Sequence, residues 1–69
     1  MVSDTAEKLS LREAREATGL SRETVSRLLD PPVSAKTIER WEKGTSPIPK
    51  YRLRELALAY RVPVSRLAA

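Results

Sequence analysis

Ser34-Ala35-Lys36-Thr37-Ile38-Glu39-Arg40-Trp41-Glu42-Lys43-Gly44 is the stretch from which the fold is read. Ser34 is a hydroxyl residue placed to cap free N–H groups, Val33 and Ile38 are spaced as a hydrophobic staple, and Gly44 offers a left-handed stop. These signals predict a helix over about 35–43. Projected at about 100° per residue, Ile38 and Trp41 fall on one side, with Lys36, Arg40 and Lys43 at i, i+4 and i+7 on the other. The apolar stripe marks a core face. The cationic ridge starts beside the helix N-terminus, where free N–H groups and the dipole also favour phosphate. A solvated amphipathic helix shows the same ridge, and Glu39 is spaced to pair with Lys43, so this helix alone leaves both readings open.

Working outward, Ser21 repeats the cap, with Leu20 and Val25 as its staple; Leu28 and Leu29 continue the stripe until Asp30-Pro31-Pro32 ends it. A helix over about 22–29 is expected. Ser10 with Glu13 reads as a capping box, followed by Leu11, Ala14 and Thr18 at helical spacing and by Gly19, which predicts a helix over 11–18. Downstream, Pro49 suits the first position of a helix over about 49–60, where its missing N–H is no loss, and Arg61-Val62-Pro63 breaks it. Val64 to Leu67 has room for one short final turn. No alternating run or two-residue hairpin turn appears, so no strand is expected. The fold class is all-α: a compact bundle of four to five short helices, with residues 1–8 a flexible N-terminal segment and residues 9–69 one domain.

Composition narrows the chemistry. Sixty-nine residues suffice for a single small domain, and 13 Lys+Arg against 9 Asp+Glu give a net charge of +4. Residues 1–20 carry three basic and four acidic groups, residues 21–50 six and four, and residues 51–69 four and one, so cationic character grows along the chain. That balance favours a polyanionic partner. There is no Cys and no His, which removes disulfides, thiolate and imidazole metal sites, and imidazole acid–base catalysis. No enzyme activity, metal or cofactor is expected. The longest apolar run, Leu56 to Tyr60, is far short of the roughly 20 residues of a membrane span, and Met1 to Ala6 lacks the features of a secretory signal. The expected location is the cytosol.

Two consecutive short helices, 22–29 and 35–43, joined by a turn of about four residues, form a helix-turn-helix with the cationic ridge on the second member. That context favours insertion of helix 35–43 into a DNA major groove, which admits an α-helix and presents acceptors to Arg and Lys. Arg15 and Glu42 project onto apolar faces of their helices, and their mutual pairing is the simplest way to avoid two unpartnered buried charges. Its role is structural: it sets the angle at which the reading helix is presented. Trp41 invites a stacking role, but its spacing from Ile38 assigns it to the core. On the last helix, Leu53, Leu56, Ala57 and Tyr60 share one face, whereas Tyr51 and Leu58 form a second apolar spot that either covers the final turn or meets another subunit.

Leu11-Arg12-Glu13-Ala14-Arg15, Gly19-Leu20-Ser21-Arg22-Glu23 and the block from Val33 to Gly44 together resemble the Cro/C1-type (Xre-like) helix-turn-helix repressors of phages and bacteria, over about residues 9–67. The resemblance implies a bundle of five short helices with helix 35–43 in the major groove. It implies Ala35, Lys36 and Arg40 at base edges, and Arg22, Ser34, Thr37, Lys43 and Thr45 at sugar-phosphate. It also implies an ion pair between Arg15 and Glu42. The sequence departs from the family pattern in the turn, where Asp30-Pro31-Pro32-Val33 is about two residues longer and stiffened by proline. Arg61 replaces a small residue and Pro63 a typical cap.

The resulting expectation is a sequence-specific double-stranded-DNA-binding transcriptional regulator, a Cro/C1-like repressor that occludes a promoter as a homodimer on a palindromic operator. The bacterial host cytosol or nucleoid is its setting, without membrane or small-molecule ligand. Two alternatives are a protein-interaction module (antitoxin, antirepressor or adaptor) and an excisionase-like winged-helix protein, which would contain appreciable strand. A role on RNA lacks an aromatic platform, since Trp41, Tyr51 and Tyr60 are scattered.

Overall fold

The local signals act first. The Ser10 side chain accepts from the Glu13 N–H at 3.0 Å while Glu13 accepts from the Ser10 N–H at 2.9 Å, closing the capping box that starts α1 (Leu11–Thr18). Ser21 and Ser34 accept from Thr24 N–H and Thr37 N–H, each at 3.1 Å, and start α2 (Arg22–Leu28) and α3 (Ala35–Lys43). Gly19 and Gly44, at φ 78° and 75°, end α1 and α3 in the left-handed region, where a side chain would add strain. A fourth helix, α4 (Lys50–Tyr60), is followed by a 3₁₀ turn (Val64–Arg66). This computed structural model describes residues 8–68; residues 1–7 of the expected flexible segment lie outside the described residues.

The helices bury one core of Leu11, Ala14, Val25, Leu29, Ile38, Trp41, Leu56, Ala57, Tyr60 and Leu67. Leu20 and Val33, the outer members of the two staple pairs, pack against it together with Leu53 and Ile48. Burial of this apolar surface is the main favourable term holding four short helices that would not persist alone.

Several boundaries and faces differ from the sequence expectation. A parallel pair of two-residue strands, β1 (Leu9–Ser10) and β2 (Leu67–Ala68), joins the two ends of the described chain in the register Leu9 to Leu67. So short a pair has no periodicity to read, and its partners are far apart in sequence. Leu28 is exposed although it continues the apolar stripe of α2, because that helix ends there and its neighbour Leu29 takes the core position. Thr18 is also exposed and donates back to the Arg15 carbonyl at 2.7 Å. Pro49 is the N-cap of α4 rather than its first residue. The turn between α2 and α3 spans residues 29–34, contains a cis Asp30–Pro31 bond, and is fastened by Val33 N–H to Ser26 carbonyl at 3.2 Å. Tyr51 and Leu58 do not cover the final turn; they stay 57% and 80% exposed, while Leu67 reaches the core through β2.

Candidate nucleic-acid interface

α3 presents opposite faces to opposite media. Ile38 and Trp41 are buried, whereas Lys36, Arg40 and Lys43 are exposed along the other side. Thr37, half-buried, and exposed Ser34 share a hydroxyl–hydroxyl hydrogen bond of 3.1 Å at the N-terminus of the helix. Beyond its C-terminus, exposed Thr45 donates its N–H to the Arg40 carbonyl at 3.0 Å and its hydroxyl at 3.3 Å. Those bonds hold the residue after the Gly44 stop close to the end of the ridge. Ala35 is half-buried and, with Lys36, Glu39, Ser21 and Arg22, lines an open groove where the N-termini of α2 and α3 meet. Arg15 and Glu23 complete its lining, so both signs of charge face the groove.

Charge on the ridge is not all of one sign. Glu39 Oε2 accepts from Lys43 Nζ at 2.8 Å, and its Oε1 lies 3.6 Å from Lys36 Nζ. The Lys43 hydrogen bond, then the Lys36 charge, hold the Glu39 carboxyl below the usual range.

Behind the ridge, one carboxylate joins three helices. Glu42, with its side chain 3% exposed, receives Arg15 Nε at 2.6 Å on Oε2, and Arg22 Nε at 3.0 Å and Arg15 Nη2 at 3.4 Å on Oε1. Arg15 Nη1 also donates to the Leu20 carbonyl at 2.9 Å. The buried charges are thus paired and hydrogen-bonded, which is the condition for tolerating them. Arg22, read from sequence as a phosphate contact, is anchored to Glu42 through Nε while its side chain remains 36% exposed. Sequence reasoning missed that bond, because a 20-residue separation leaves no spacing signal.

A second link runs from α4 to the turn. Glu55 accepts from Arg52 Nη1 at 2.9 Å and from Asp30 N–H at 3.3 Å, so α4 holds the first residue of the Asp30-Pro31-Pro32 segment. Arg52 is buried, and its guanidinium lies 5.1 Å from the centre of the Tyr51 ring. Neither bond was read from the sequence: the i, i+3 spacing of Arg52 and Glu55 is a signal that could have found the first, whereas the bond to Asp30 has no spacing signal. Among the described residues there is no cluster of acidic groups that could hold a metal ion, and no helix is long and apolar enough to cross a membrane.

A family model described as "Helix-turn-helix domain" matches residues 9–69. The chain belongs to that helix-turn-helix family. No curated protein and no solved structure matches it. Within this helix-turn-helix domain, α2 and α3 are consecutive short helices joined by the turn of residues 29–34. This family is broader than the Cro/C1 type that the sequence resembles. Strand among the described residues amounts to the β1–β2 pair, without a hairpin wing.

Proposed function

We propose that this helix-turn-helix protein is a sequence-specific regulator of transcription that binds double-stranded DNA, a Cro/C1-like repressor that occludes a promoter in a bacterial host. In this reading α3 lies in the major groove with Ala35, Lys36 and Arg40 at base edges. Arg22, Ser34, Thr37, Lys43 and Thr45 meet sugar-phosphate around it. The observation that carries the reading is the division of α3: Ile38 and Trp41 belong to the core, while the face with Lys36, Arg40 and Lys43 is open to a ligand. A lysine or arginine ridge on a rigid rod of groove width suits the acceptors of base edges and the phosphates flanking them.

One such unit covers few base pairs. A homodimer on a palindromic operator, with half-sites about one helical turn or roughly 34 Å apart, supplies the missing affinity. Selection from a random duplex library tests ligand, specificity and symmetry together. An enriched inverted repeat is the expected result, and enrichment of no sequence at all would end the proposal. A protein-interaction module would instead show weak, sequence-indifferent retention on duplex DNA that vanishes at moderate salt.

A further inference from the structure

Glu39 stands out on the exposed side of α3 because it is an anion where the reading above requires cations. Its two carboxylate oxygens are divided between two ridge lysines, Oε2 to Lys43 at 2.8 Å and Oε1 to Lys36 at 3.6 Å. Both lysine side chains are more than half exposed, at 63% and 61%, whereas Glu39 is more enclosed, at 26%. Glu39 is also one of the residues lining the groove at the N-termini of α2 and α3, with Arg22 and Lys36. A single carboxylate thus contacts two of the three ridge cations in the free protein and offsets one of their two positive charges.

We propose that Glu39 is a built-in anionic competitor of DNA phosphate: it occupies Lys36 and Lys43 in the free protein and restrains sequence-independent binding. The inference rests on the DNA-binding reading and deepens it. Exposed lysine–carboxylate pairs are weak, so phosphate can displace Glu39 from Lys43, and from Lys36 in those sequence-independent complexes where Lys36 has no base edge to meet. The carboxylate itself cannot leave the helix, and once water is excluded its repulsion of nearby phosphate grows. Sequence-independent affinity comes almost wholly from phosphate contacts and released counterions, whereas specific binding adds base-edge contacts. An anion fixed on the ridge therefore penalises random DNA in proportion more than the operator, and specificity rises at the expense of affinity.

The test compares wild type with Glu39→Gln, which keeps the shape and removes the charge. Glu16→Gln serves as the reference, because Glu16 forms an equivalent exposed i, i+4 pair, with Arg12 on α1. Each is titrated with a mixed-sequence duplex and with the duplex enriched by selection, between about 50 and 200 mM salt. Far-UV circular dichroism verifies that each variant keeps its helices. Glu39→Gln is expected to bind the mixed-sequence duplex several-fold tighter at low salt, with a log–log salt slope steeper by about one and a reduced preference for the enriched site. Glu16→Gln is expected to change these quantities less.

Unchanged affinity and slope for Glu39→Gln would overturn the proposal while leaving wild-type DNA binding intact. Equal effects of the two substitutions would overturn it as well, by assigning the change to net charge. Lost discrimination at one base pair with unaltered binding to mixed sequence would make Glu39 a base acceptor instead, and so would also overturn it. Absence of duplex binding by all three proteins would remove the DNA reading, and this proposal with it.

Discussion

Arg15 Nε lies 2.6 Å from Glu42 Oε2, and this contact locks the first helix of the bundle to the third. The same carboxylate takes Arg22 from the second helix, so a single buried side chain sets how α1, α2 and α3 meet. The geometry that presents α3 thus depends on one anion between two guanidinium groups.

Removal of that anion is expected to be severe. Glu42→Ala leaves Arg15 buried and unpaired, a change that costs about 3 to 5 kcal/mol. A chain this small has a total stability of about 3 to 10 kcal/mol, so much of the population should unfold. Urea titration followed by Trp41 emission measures the loss. Arg15→Met combined with Glu42→Leu should be milder than Glu42→Ala, since Arg22 can turn to water. A double variant as unstable as the single one would contradict the argument.

Tyr60 makes stability sensitive to alkali. Its hydroxyl is buried with no hydrogen-bond partner among the described residues, and burial, reinforced by the Glu42 charge and opposed by Arg15, pushes its pKa up to about 12. In the unfolded chain a tyrosine titrates near 10. The folded value is the higher one, so this contribution is fully present below about pH 10 and is lost as pH rises toward 12. Two pKa units set an upper bound of about 2.7 kcal/mol. Tyr60→Phe should remove this part of the alkaline loss, and at pH 7 it should leave stability unchanged or raise it by about 1 kcal/mol. Denaturation curves at pH 8 and pH 11 on both proteins provide the check.

Base-facing and phosphate-facing residues should separate on DNA. Lys36→Ala or Arg40→Ala is expected to reduce discrimination between operator and mixed sequence by about 1 to 3 kcal/mol where a bidentate contact is lost. Lys43→Ala should weaken binding to all sequences alike and lower the salt slope by about one. Arg22→Ala should do the same and in addition lower stability, because it also removes one of the two guanidinium partners of Glu42. Fluorescence anisotropy across a salt series reads both quantities; uniform weakening by Lys36→Ala would reassign it to phosphate.

Arg61 carries backbone strain at the end of α4. It caps that helix at φ 61°, in the left-handed region where a side chain costs about 1 kcal/mol. Arg61→Gly is expected to raise stability by up to about 1 kcal/mol, the gain being reduced by the greater freedom of glycine in the unfolded chain. A lower midpoint in urea would show that the Arg61 side chain contributes more than its backbone costs.

What can be read along the chain is what is decided within four or five residues. Ser10, Ser21 and Ser34 satisfy N–H groups three residues ahead, Gly19 and Gly44 accept a backbone turn that other residues resist, and the apolar spacing of Ile38 and Trp41 fixes which side of α3 turns inward. Helix positions and the cationic ridge follow from these local rules. Arg15 and Glu42 were legible for a different reason: a charge on an apolar face needs a partner, and few are on offer.

Meetings of distant segments were decided elsewhere. The pairing of Leu9 with Leu67, the bond from Arg22 to Glu42, the hold of Glu55 on Asp30 and the exposure of Leu28 have no period or spacing to announce them. Sequence alone determined three serine-capped rods, a fourth that starts behind Pro49, and which side of α3 is apolar. Only the packing of those rods around one core decided which charges share a carboxylate, because that depends on distances that exist after the chain has closed on itself.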